Sequence, residues 1–236
     1  MTEEAGQSPL LTAPPPPPAA AAVFGAALDK AQEFVALLAT AGVTRGLIGP
    51  RETTRLWDRH LLNCAVVAEL LPSSGRLVDI GSGAGLPGIV LALVKPELEV
   101  ILLEPMLRRV GFLQECVESL GLENTSVVRG RAEELSGKLR TDVATARAVA
   151  PLDKLAGWAT GLLVPGGEIL AIKGQSAEEE LVAAQPVLEQ LGAERAEILH
   201  VGQDKVLPET TVVRVVMSRR GREEQARAHR RRPGMA

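Results

Sequence analysis

A glycine-rich segment has the residue types and spacing that suit it to bind a cofactor. It reads Asp79-Ile-Gly-Ser-Gly-Ala-Gly-Leu-Pro-Gly88 and begins at the end of the short, mainly apolar strand pattern 76–80. Glycines let a backbone turn sharply and let a ligand approach it closely. A glycine turn between a strand and a helix is where α/β proteins bind nucleotide-like ligands. The glycines expected to contact such a ligand are Gly81, Gly83 and Gly85.

Two kinds of cofactor fit this turn. The spacing Gly83-x-Gly85-x-x-Gly88 matches the fingerprint of dinucleotide-binding proteins. Asp79, however, would place a carboxylate beside the pyrophosphate of a dinucleotide and repel it, whereas the same carboxylate could hold an ammonium group. S-adenosylmethionine carries an ammonium group, a sulfonium and a ribose, and it has no phosphate. The electrostatics therefore favour S-adenosylmethionine over NAD and make Asp79 a predicted cofactor contact.

Two later segments could complete the cofactor site. Glu104 ends the next predicted strand, where a carboxylate can accept hydrogen bonds from both hydroxyls of a ribose. The third predicted strand leads into Gly130-Arg-Ala-Glu-Glu134, where residues can border an adenine ring. Glu133 can accept from the adenine amino group, or the backbone of Ala132 can pair with it. Alternatively, the two glutamates only begin a helix, whose N-terminal dipole favours carboxylates.

These segments lie in a region where apolar strands alternate with helical patterns. The predicted strands are 76–80, 99–104, 126–130, 142–149, 167–174, 193–201 and 210–218. Strands that alternate with helices form a parallel sheet with helices on both faces. The last two strands have no helix between them, so they should form an antiparallel hairpin at the sheet edge. The sequence therefore predicts an α/β protein with a seven-stranded, mostly parallel sheet and an antiparallel last strand.

The composition divides the chain into four segments. Residues 1–22 contain five consecutive prolines and an alanine run, which are typical of polyproline II or disorder. Residues 23–72 contain two helical patterns, which predict an N-terminal helical extension. Residues 73–218 form the α/β domain, and residues 219–236 form a basic tail that we expect to be disordered.

Charge and cysteine content exclude several classes of protein. The net charge is −3, but residues 219–232 contain seven Arg and two Glu, so they carry +5 and the rest of the chain −8. A basic tail on an acidic body is typical of proteins that contact a polyanion, unless the tail is only a solvated end. Two cysteines can form neither a disulfide framework nor a four-ligand metal site, which favours the cytoplasm. The sequence has no run of 18 apolar residues, so no membrane span is expected.

A series of short motifs between residues 43 and 218 carries a resemblance to a known family. The glycine turn is preceded by Arg59-His60-Leu-Leu-Asn63, and the later motifs are Leu103-Glu104, Arg108-Arg109-x-x-Phe-Leu113, Arg131-Ala-Glu133, Ala146-Arg-Ala148 and Ile172-Lys-Gly-Gln175. In this order and spacing they resemble the ribosomal RNA small-subunit methyltransferase G family, also called glucose-inhibited division protein B. The stretch from Ile48 to Trp57 and the pair Asn63-Cys64 resemble its actinobacterial branch.

The resemblance implies a Rossmann-like, S-adenosylmethionine-dependent methyltransferase fold. It implies transfer of a methyl group from S-adenosylmethionine to N7 of a guanine in 16S ribosomal RNA, either free or in an assembled small ribosomal subunit. An alternative is methylation of another RNA or of a small molecule. We further expect a monomer in the cytoplasm that needs no metal. The cofactor contacts implied by the resemblance are Gly81, Leu86, Ala132, Glu133 and Arg147.

The chemistry of N7 methylation agrees with the residues present. N7 of guanine has a lone pair and no proton, so the reaction needs no general base and depends mainly on alignment. The fourth strand ends in Thr145-Ala-Arg147, without the Asn/Asp-Pro-Pro-aromatic motif of amine methylases. Cys64 and Cys116 occur outside the strands where a cytosine C5 methylase needs its nucleophile, so we expect both thiols to be buried or inert.

Four basic residues are the remaining candidates for function. Arg147 can donate to guanine O6 or hold the cofactor, unless it forms a salt bridge with Asp142 or Asp153. Lys173 ends the fifth strand and could contact a phosphate, or it could be a surface lysine. Arg59 and His60 share one helical turn that could face RNA, although His60 could equally be a buried polar cap. The predicted catalytic residues are Arg147 and Lys173, and the predicted RNA-binding residues are Arg59 and His60.

Overall fold

A seven-stranded sheet forms the centre of the computed structural model, which describes residues 13–219. The strands are β1 (Gly75–Ile80), β2 (Leu98–Glu104), β3 (Thr125–Arg129), β4 (Thr141–Arg147), β5 (Leu163–Lys173), β6 (Ala193–Val201) and β7 (Thr210–Met217). Their order is β3-β2-β1-β4-β5-β7-β6. The first five strands are parallel, and β7 runs antiparallel to both β5 and β6. The predicted mostly parallel sheet with its antiparallel last strand is therefore confirmed.

Helices cover both faces of the sheet, as predicted. One face packs against α4 (Gly88–Val94), α5 (Leu107–Ser119) and the N-terminal extension, and the other packs against α6 (Leu152–Thr160) and α7 (Ala177–Gln190). Side chains alternate between the two faces along each strand. In β1, for example, Leu77 belongs to the first core and Val78 to the second. The parallel arrangement brings the carboxyl ends of β1, β2, β4 and β5 to one edge of the sheet.

The N-terminal extension is helical, but much of it is not regular α-helix. Its first part consists of α1 (Pro18–Phe24), a 3₁₀ turn, α2 (Leu28–Leu37) and a π-helical end at Leu38–Gly42. Its second part consists of a 3₁₀ helix at Pro50–Arg55, a π-helical segment at Leu56–Leu62, α3 (Asn63–Ala65) and a further 3₁₀ helix at Val66–Leu70. π-Helical turns are rare and occur frequently at functional sites.

The proline-rich leader differs from its prediction where the structure describes it. Helix α1 begins at Pro18, and Ala20 is fully buried, although residues 1–22 were predicted to lie outside the core. Proline suits the first turn of a helix and alanine has the highest helix propensity, so the Pro-Ala junction favours helix. The Trp57 indole N–H donates to the carbonyl of Pro14 over 2.9 Å, which anchors the chain before α1. Residues 1–12 and the tail beyond Arg219 lie outside the described residues.

The extension is fastened to the last hairpin of the sheet. Asn63 Nδ2 donates to Thr210 Oγ1 over 2.7 Å, and Thr210 Oγ1 donates back to the Asn63 carbonyl over 3.0 Å. The Lys205 ammonium lies 2.7 Å from Glu69 Oε1, and Glu69 Oε2 accepts from the Gly202 amide. These contacts fix the extension over the edge of the sheet where the strands end. None of the helices between residues 13 and 219 is long and apolar enough to cross a membrane.

Candidate functional site

The glycine turn between β1 and α4 has a backbone that requires glycine. Gly81, Gly83 and Gly85 have φ angles of +70°, +56° and +86°, in the left-handed region that other residues rarely adopt. Gly88 is required for a different reason, because a Cβ atom there would lie 2.3 Å from Leu102 Cδ2 and 2.7 Å from Asp79 Oδ2. The turn is thus shaped both by backbone conformation and by close packing of α4 on β2.

Six amide groups of this turn donate hydrogen bonds within the protein. The amides of Gly81 and Ser82 donate to the carbonyl of Leu103, and those of Gly85 and Leu86 donate to the carbonyl of Ser82. The Gly83 and Gly88 amides donate to the carboxylates of Glu104 and Asp79. A dinucleotide site instead turns such amides toward a pyrophosphate. NAD is therefore disfavoured because these amides are already hydrogen-bonded, and not because the charge of Asp79 would repel a pyrophosphate.

Asp79 lies behind the turn and not in the cleft, contrary to the predicted cofactor contact. Its side chain is fully buried, and its Oδ2 accepts from the Gly88 amide over 3.0 Å. Its Oδ1 is buried without a hydrogen-bond partner among the described residues. Burial is the main cause that raises the pKa of Asp79 to about 7. In this structure Asp79 holds the glycine turn onto the start of α4.

Glu104 brings a carboxylate to the cleft itself. It is almost fully buried, and its two oxygens accept from the amides of Gly83 and Met106 over 3.0 and 2.9 Å. Arg109 Nη1 lies 3.7 Å from Glu104 Oε2. These donors hold the carboxylate in a single orientation at the end of β2. Each carboxylate oxygen has a further lone pair, so the group can still accept from a ribose hydroxyl.

A cleft of about 500 Å³ opens beside the turn. Seven of the predicted cofactor residues line it, namely Gly81, Gly83, Leu86, Glu104, Ala132, Glu133 and Arg147. Gly85 was predicted with them but does not line the cleft. A Cβ atom at Gly85 would face the side chains of Ile89 and Phe34, at 2.5 and 3.2 Å from their nearest atoms. Gly85 therefore serves the turn and the core, and the prediction that it contacts the cofactor is not supported.

Other residues of the cleft were missed by the sequence reasoning. They include Leu47 and Ile48 from the N-terminal extension and Trp158 from α6. Nothing in the sequence places the Gly-Pro break near Ile48 beside the glycine turn, because that contact depends on how the extension packs on the sheet. Trp158 carried a detectable signal, since it is one of only two tryptophans and aromatic residues often line ligand sites.

A second cavity of about 640 Å³ lies next to the cleft. The two share Arg147, Ala148 and Val149, so the end of β4 forms the wall between them. Ala148 has φ +55°, an uncommon value for a residue with a side chain, and such residues occur often at functional sites. The second cavity brings together all four basic residues selected from the sequence, which are Arg59, His60, Arg147 and Lys173.

Arg147 contacts the N-terminal extension. Its Nη2 lies 2.7 Å from His60 Nδ1, and its Nη1 donates to the carbonyl of Arg59 over 3.4 Å. The alternative salt bridges to Asp142 and Asp153 are not formed among the described residues. A guanidinium has five N–H donors, so further donors of Arg147 remain for a ligand in either cavity.

Lys173 is engaged within the protein, which differs from the predicted phosphate contact. Its ammonium donates to the carbonyl of Ala150 over 2.8 Å and to Glu180 Oε2 over 2.7 Å. The same Glu180 oxygen accepts from the amide of Leu152. The Lys173–Glu180 ion pair therefore fixes the loop between β4 and α6, and its charge is compensated by the carboxylate.

Arg59 and His60 point in different directions from the π-helical segment. The Arg59 side chain is 54% exposed and pairs with Glu52 over 3.1 Å, whereas the His60 side chain is only 11% exposed. A direct RNA contact is therefore compatible with Arg59 but is not supported for His60, because His60 is held between Glu52 and Arg147. The alternative interpretation of His60 as a buried polar group agrees with the structure.

The two cysteines and the acidic side chains of residues 13–219 offer neither a reactive thiol nor a metal site. Both cysteines are free and buried, and burial raises the pKa of the Cys116 thiol to about 12 and also raises that of Cys64. Both thiols are thus buried and poorly ionised, as predicted. No group of three or more His, Cys, Asp or Glu side chains in this range could hold a metal ion.

Comparison with known proteins agrees with the fold and the motifs. A solved structure titled as a putative S-adenosyl-L-methionine-dependent methyltransferase from Methanococcus maripaludis aligns with 78% of this chain and 93% of its own, at a TM-score of 0.55 and 14% identity. Two proteins named ribosomal RNA small subunit methyltransferase G are similar throughout most of their length. The one from Thermobifida fusca is 58% identical over 196 residues, 83% of each chain, and the one from Streptomyces coelicolor is 61% identical over 194 residues, 82% of this chain and 81% of its own. The family profile described as "rRNA small subunit methyltransferase G" matches residues 27–207. The chain therefore belongs to this methyltransferase family, as its motifs predicted.

Proposed function

We propose that this protein transfers the methyl group of S-adenosylmethionine to N7 of a guanine in small-subunit ribosomal RNA. The observation that carries the proposal is the pair of adjoining cavities that share the wall Arg147–Val149. One cavity has the features of a cofactor cleft, and the other contains hydrogen-bond donors from both the extension and the strand ends. A methyl group passes between two ligands only when they are adjacent, and cavities that share lining residues can hold their ligands side by side.

The residues of the cleft fit S-adenosylmethionine better than they fit a phosphate-containing cofactor. Glu104 presents an oriented carboxylate for the ribose hydroxyls, and the hydrogen-bonded amides of the turn leave few donors for a phosphate. Ala132 and Glu133 border the same cleft, where the adenine would lie. Apolar side chains such as Leu86 and Ile48 provide the surface for the ring. When bound, S-adenosylmethionine supplies a methyl group on a positively charged sulfur.

The second cavity suits an acceptor that carries its own lone pair. Among the described residues that line it, His60 and Glu180 are the groups able to act as a base, and both are already bound to Arg147 or Lys173. Neither group is therefore free to remove a proton from the acceptor. Methylation at N7 of guanine requires no such step. We assign Arg147 to orient the guanine by donating to its oxygen edge. We assign Lys173 to hold the loop Ala148–Pro151 through Ala150 and Glu180.

The surface beside the second cavity suits a polyanion. Arg51, Arg55 and Arg59 are all exposed on the second part of the N-terminal extension, and Arg59 also lines the cavity. Phosphates of an RNA strand gain affinity from such cations mainly by releasing bound counterions. We propose that the substrate is ribosomal RNA, either free or in an assembled small subunit, and that the enzyme acts in the cytoplasm as a monomer.

The test is methyl transfer from radiolabelled S-adenosylmethionine to two substrates, small-subunit particles and RNA stripped of protein. Both come from cells that lack this gene, and borohydride with aniline then cleaves RNA at N7-methylguanine. We expect one labelled position and one cleavage site in at least one substrate. Label without aniline cleavage would exclude N7, and no label despite cofactor binding in calorimetry would direct the search to another RNA or a small molecule. Arg147→Gln provides the matched control, in which we expect much slower methyl transfer.

A further inference from the structure

Three side chains form a continuous hydrogen-bonded chain from the N-terminal extension to the end of β4. Glu52 Oε2 lies 2.9 Å from His60 Nε2, and His60 Nδ1 lies 2.7 Å from Arg147 Nη2. Glu52 belongs to the 3₁₀ helix Pro50–Arg55, and His60 belongs to the π-helical segment. These two hydrogen bonds therefore join three separate elements at the wall between the two cavities.

The chemistry of the three groups determines where the imidazole proton lies. A guanidinium has donors and no acceptor, so His60 Nδ1 must accept from Arg147. The proton is then on Nε2, which donates to the Glu52 carboxylate. This arrangement requires a neutral imidazole, because a protonated one would turn an N–H toward the guanidinium.

The surroundings of His60 maintain the neutral form. The charged groups facing it are Arg147 from β4, Glu52 from the 3₁₀ helix and Arg59 from its own segment. Burial and then the charge of Arg147 lower the pKa of His60, and these outweigh the opposite influence of Glu52. The hydrogen bond from His60 is the main cause that lowers the pKa of Glu52, so the carboxylate stays ionised and accepts.

Resting on the proposed function, we propose that Glu52 and His60 are positioning residues that hold the Arg147 guanidinium at the wall between the cofactor cleft and the second cavity. The N-terminal extension thus contributes to methyl transfer by fixing the side chain that orients the acceptor. His60 accomplishes this through Nδ1, Glu52 fixes the tautomer of His60, and neither residue touches the substrate.

Two substitutions at His60 separate its hydrogen bond to Arg147 from its hydrogen bond to Glu52. In His60→Asn the amide oxygen takes a place close to that of Nδ1 and can accept from Arg147. In His60→Gln the amide nitrogen takes a place close to that of Nε2 and retains only the contact with Glu52. We expect kcat of His60→Gln to fall about 10-fold or more below that of His60→Asn, the range for losing a hydrogen bond to a charged group. The melting temperature and the Kd for S-adenosylmethionine should be similar in the two variants.

A purely structural role for His60 predicts a different result, namely equal losses in both variants that follow their melting temperatures. That outcome would overturn the proposal. Glu69→Gln is the matched control, because Glu69 also ties the extension to the sheet domain. Its partners, however, are Lys205 and Gly202, which are distant from Arg147 in sequence. It should leave kcat unchanged. In the wild type, kcat should fall at low pH as His60 becomes protonated. This fall should be absent in His60→Asn.

A measurement without substrate keeps this proposal separate from the proposed function. The sequence has only three histidines, so the ¹⁵N imidazole signals that disappear in His60→Asn belong to His60. We expect a neutral ring with the proton on Nε2, and a change of tautomer or protonation state in Arg147→Gln. A ring that carries its proton on Nδ1, or that is cationic at pH 7, would overturn the proposal even if the protein methylates ribosomal RNA. If no RNA is methylated but the tautomer is as expected, the proposed function is wrong, whereas the hydrogen bonding of Glu52, His60 and Arg147 is as proposed.

Discussion

The cofactor cleft and the second cavity meet at Arg147 but are built in different ways. The cleft is formed largely by backbone, with a glycine turn whose amides are bound within the protein and one carboxylate, Glu104, that is held by two of the neighbouring amides. The second cavity is formed by long charged side chains that pair with one another, such as Lys173 with Glu180. The cleft is thus centred on one backbone turn, with Leu47 and Ile48 of the N-terminal extension at its border, whereas the second cavity takes the polar side chains Arg59, His60 and Asn63 from that extension.

The two regions should therefore differ in how well they tolerate substitutions. A backbone turn packed against β2 has no room for adjustment, so substitutions there should act on the whole cleft. Ion pairs on flexible side chains can rearrange, so substitutions in the second cavity should affect catalysis more than folding. The following predictions test that contrast.

The largest effect is expected for Gly88→Val, which acts on the cleft. Since even a Cβ atom there would lie 2.3 Å from Leu102 Cδ2, the side chain must push α4 away from β2. Overpacking of this kind costs about 1–3 kcal/mol or more, and each kcal/mol lowers the melting temperature by roughly 2–4 °C in a protein of this size. We also expect cofactor binding to be lost in calorimetry. Gly111→Ala is the control, because no atom lies within 4 Å of its Cβ position in α5, and it should stabilise the protein. Cofactor affinity in Gly88→Val within a few-fold of wild type would contradict this account of the turn.

The next effect is expected for Arg147→Gln, which decides which cavity Arg147 serves. The substitution removes the charge and leaves His60 Nδ1 and the Arg59 carbonyl without their donor. Hydrogen bonds to a charged group contribute about 1.5–3 kcal/mol, so kcat should fall roughly 100-fold. The Kd for S-adenosylmethionine should change little. A loss found mainly in cofactor affinity would show that Arg147 belongs to the cleft and would contradict its assignment to the acceptor.

A smaller effect is expected for Glu104→Gln. The carboxylate accepts from the amides of Gly83 and Met106 through different oxygens, and glutamine has only one oxygen to offer them. One amide would then face an NH₂ group, and affinity for S-adenosylmethionine should fall about 10-fold. Glu99→Gln is the control, since Glu99 lies on the same strand but pairs with Arg76 on the surface. Equal affinities for the two variants in calorimetry would exclude Glu104 from the cofactor site.

The smallest effect is expected in the pH dependence of stability from Asp79. Its pKa is raised from 3.8 to about 7 by burial, so between these values the folded protein binds more protons than the unfolded chain. Stability from this group is therefore full at low pH and is lost as the pH rises through 7. Asp79→Asn retains an oxygen for the Gly88 amide but cannot ionise. The wild-type melting temperature should fall relative to that of the variant between pH 5 and pH 8. A constant difference over this range would mean that Asp79 titrates normally.

The sequence was most informative where the structure is local. The glycine turn, Glu104 and all seven strands were predictable, because turn residues and alternating apolar patterns reflect neighbouring positions along the chain. The direction of β7 was also predictable from the missing helix before it. Asp79 was selected from the sequence, but the prediction that it contacts the cofactor was wrong. Sequence spacing cannot show whether a carboxylate faces a cleft or the back of a turn.

The second cavity was less accessible to prediction. Arg147, His60 and Lys173 were each selected, but their partners depend on contacts between distant segments, such as His60 with Arg147 and Lys173 with Ala150. The π-helical geometry around His60 was not predicted either, because an apolar pattern at intervals of three and four residues does not distinguish an α-helix from a helix with wider turns. Tertiary packing decided these features.

The hydrogen bonds between Asn63 and Thr210 join a segment made early in translation to one made late. When residues 59–63 leave the ribosome, neither β4 nor β7 has been synthesised, and the extension has no sheet to pack on. The walls of the second cavity come from residues 59–63 and 147–180, and the hairpin that fastens the extension follows them. The substrate site therefore assembles only when nearly the whole chain is available.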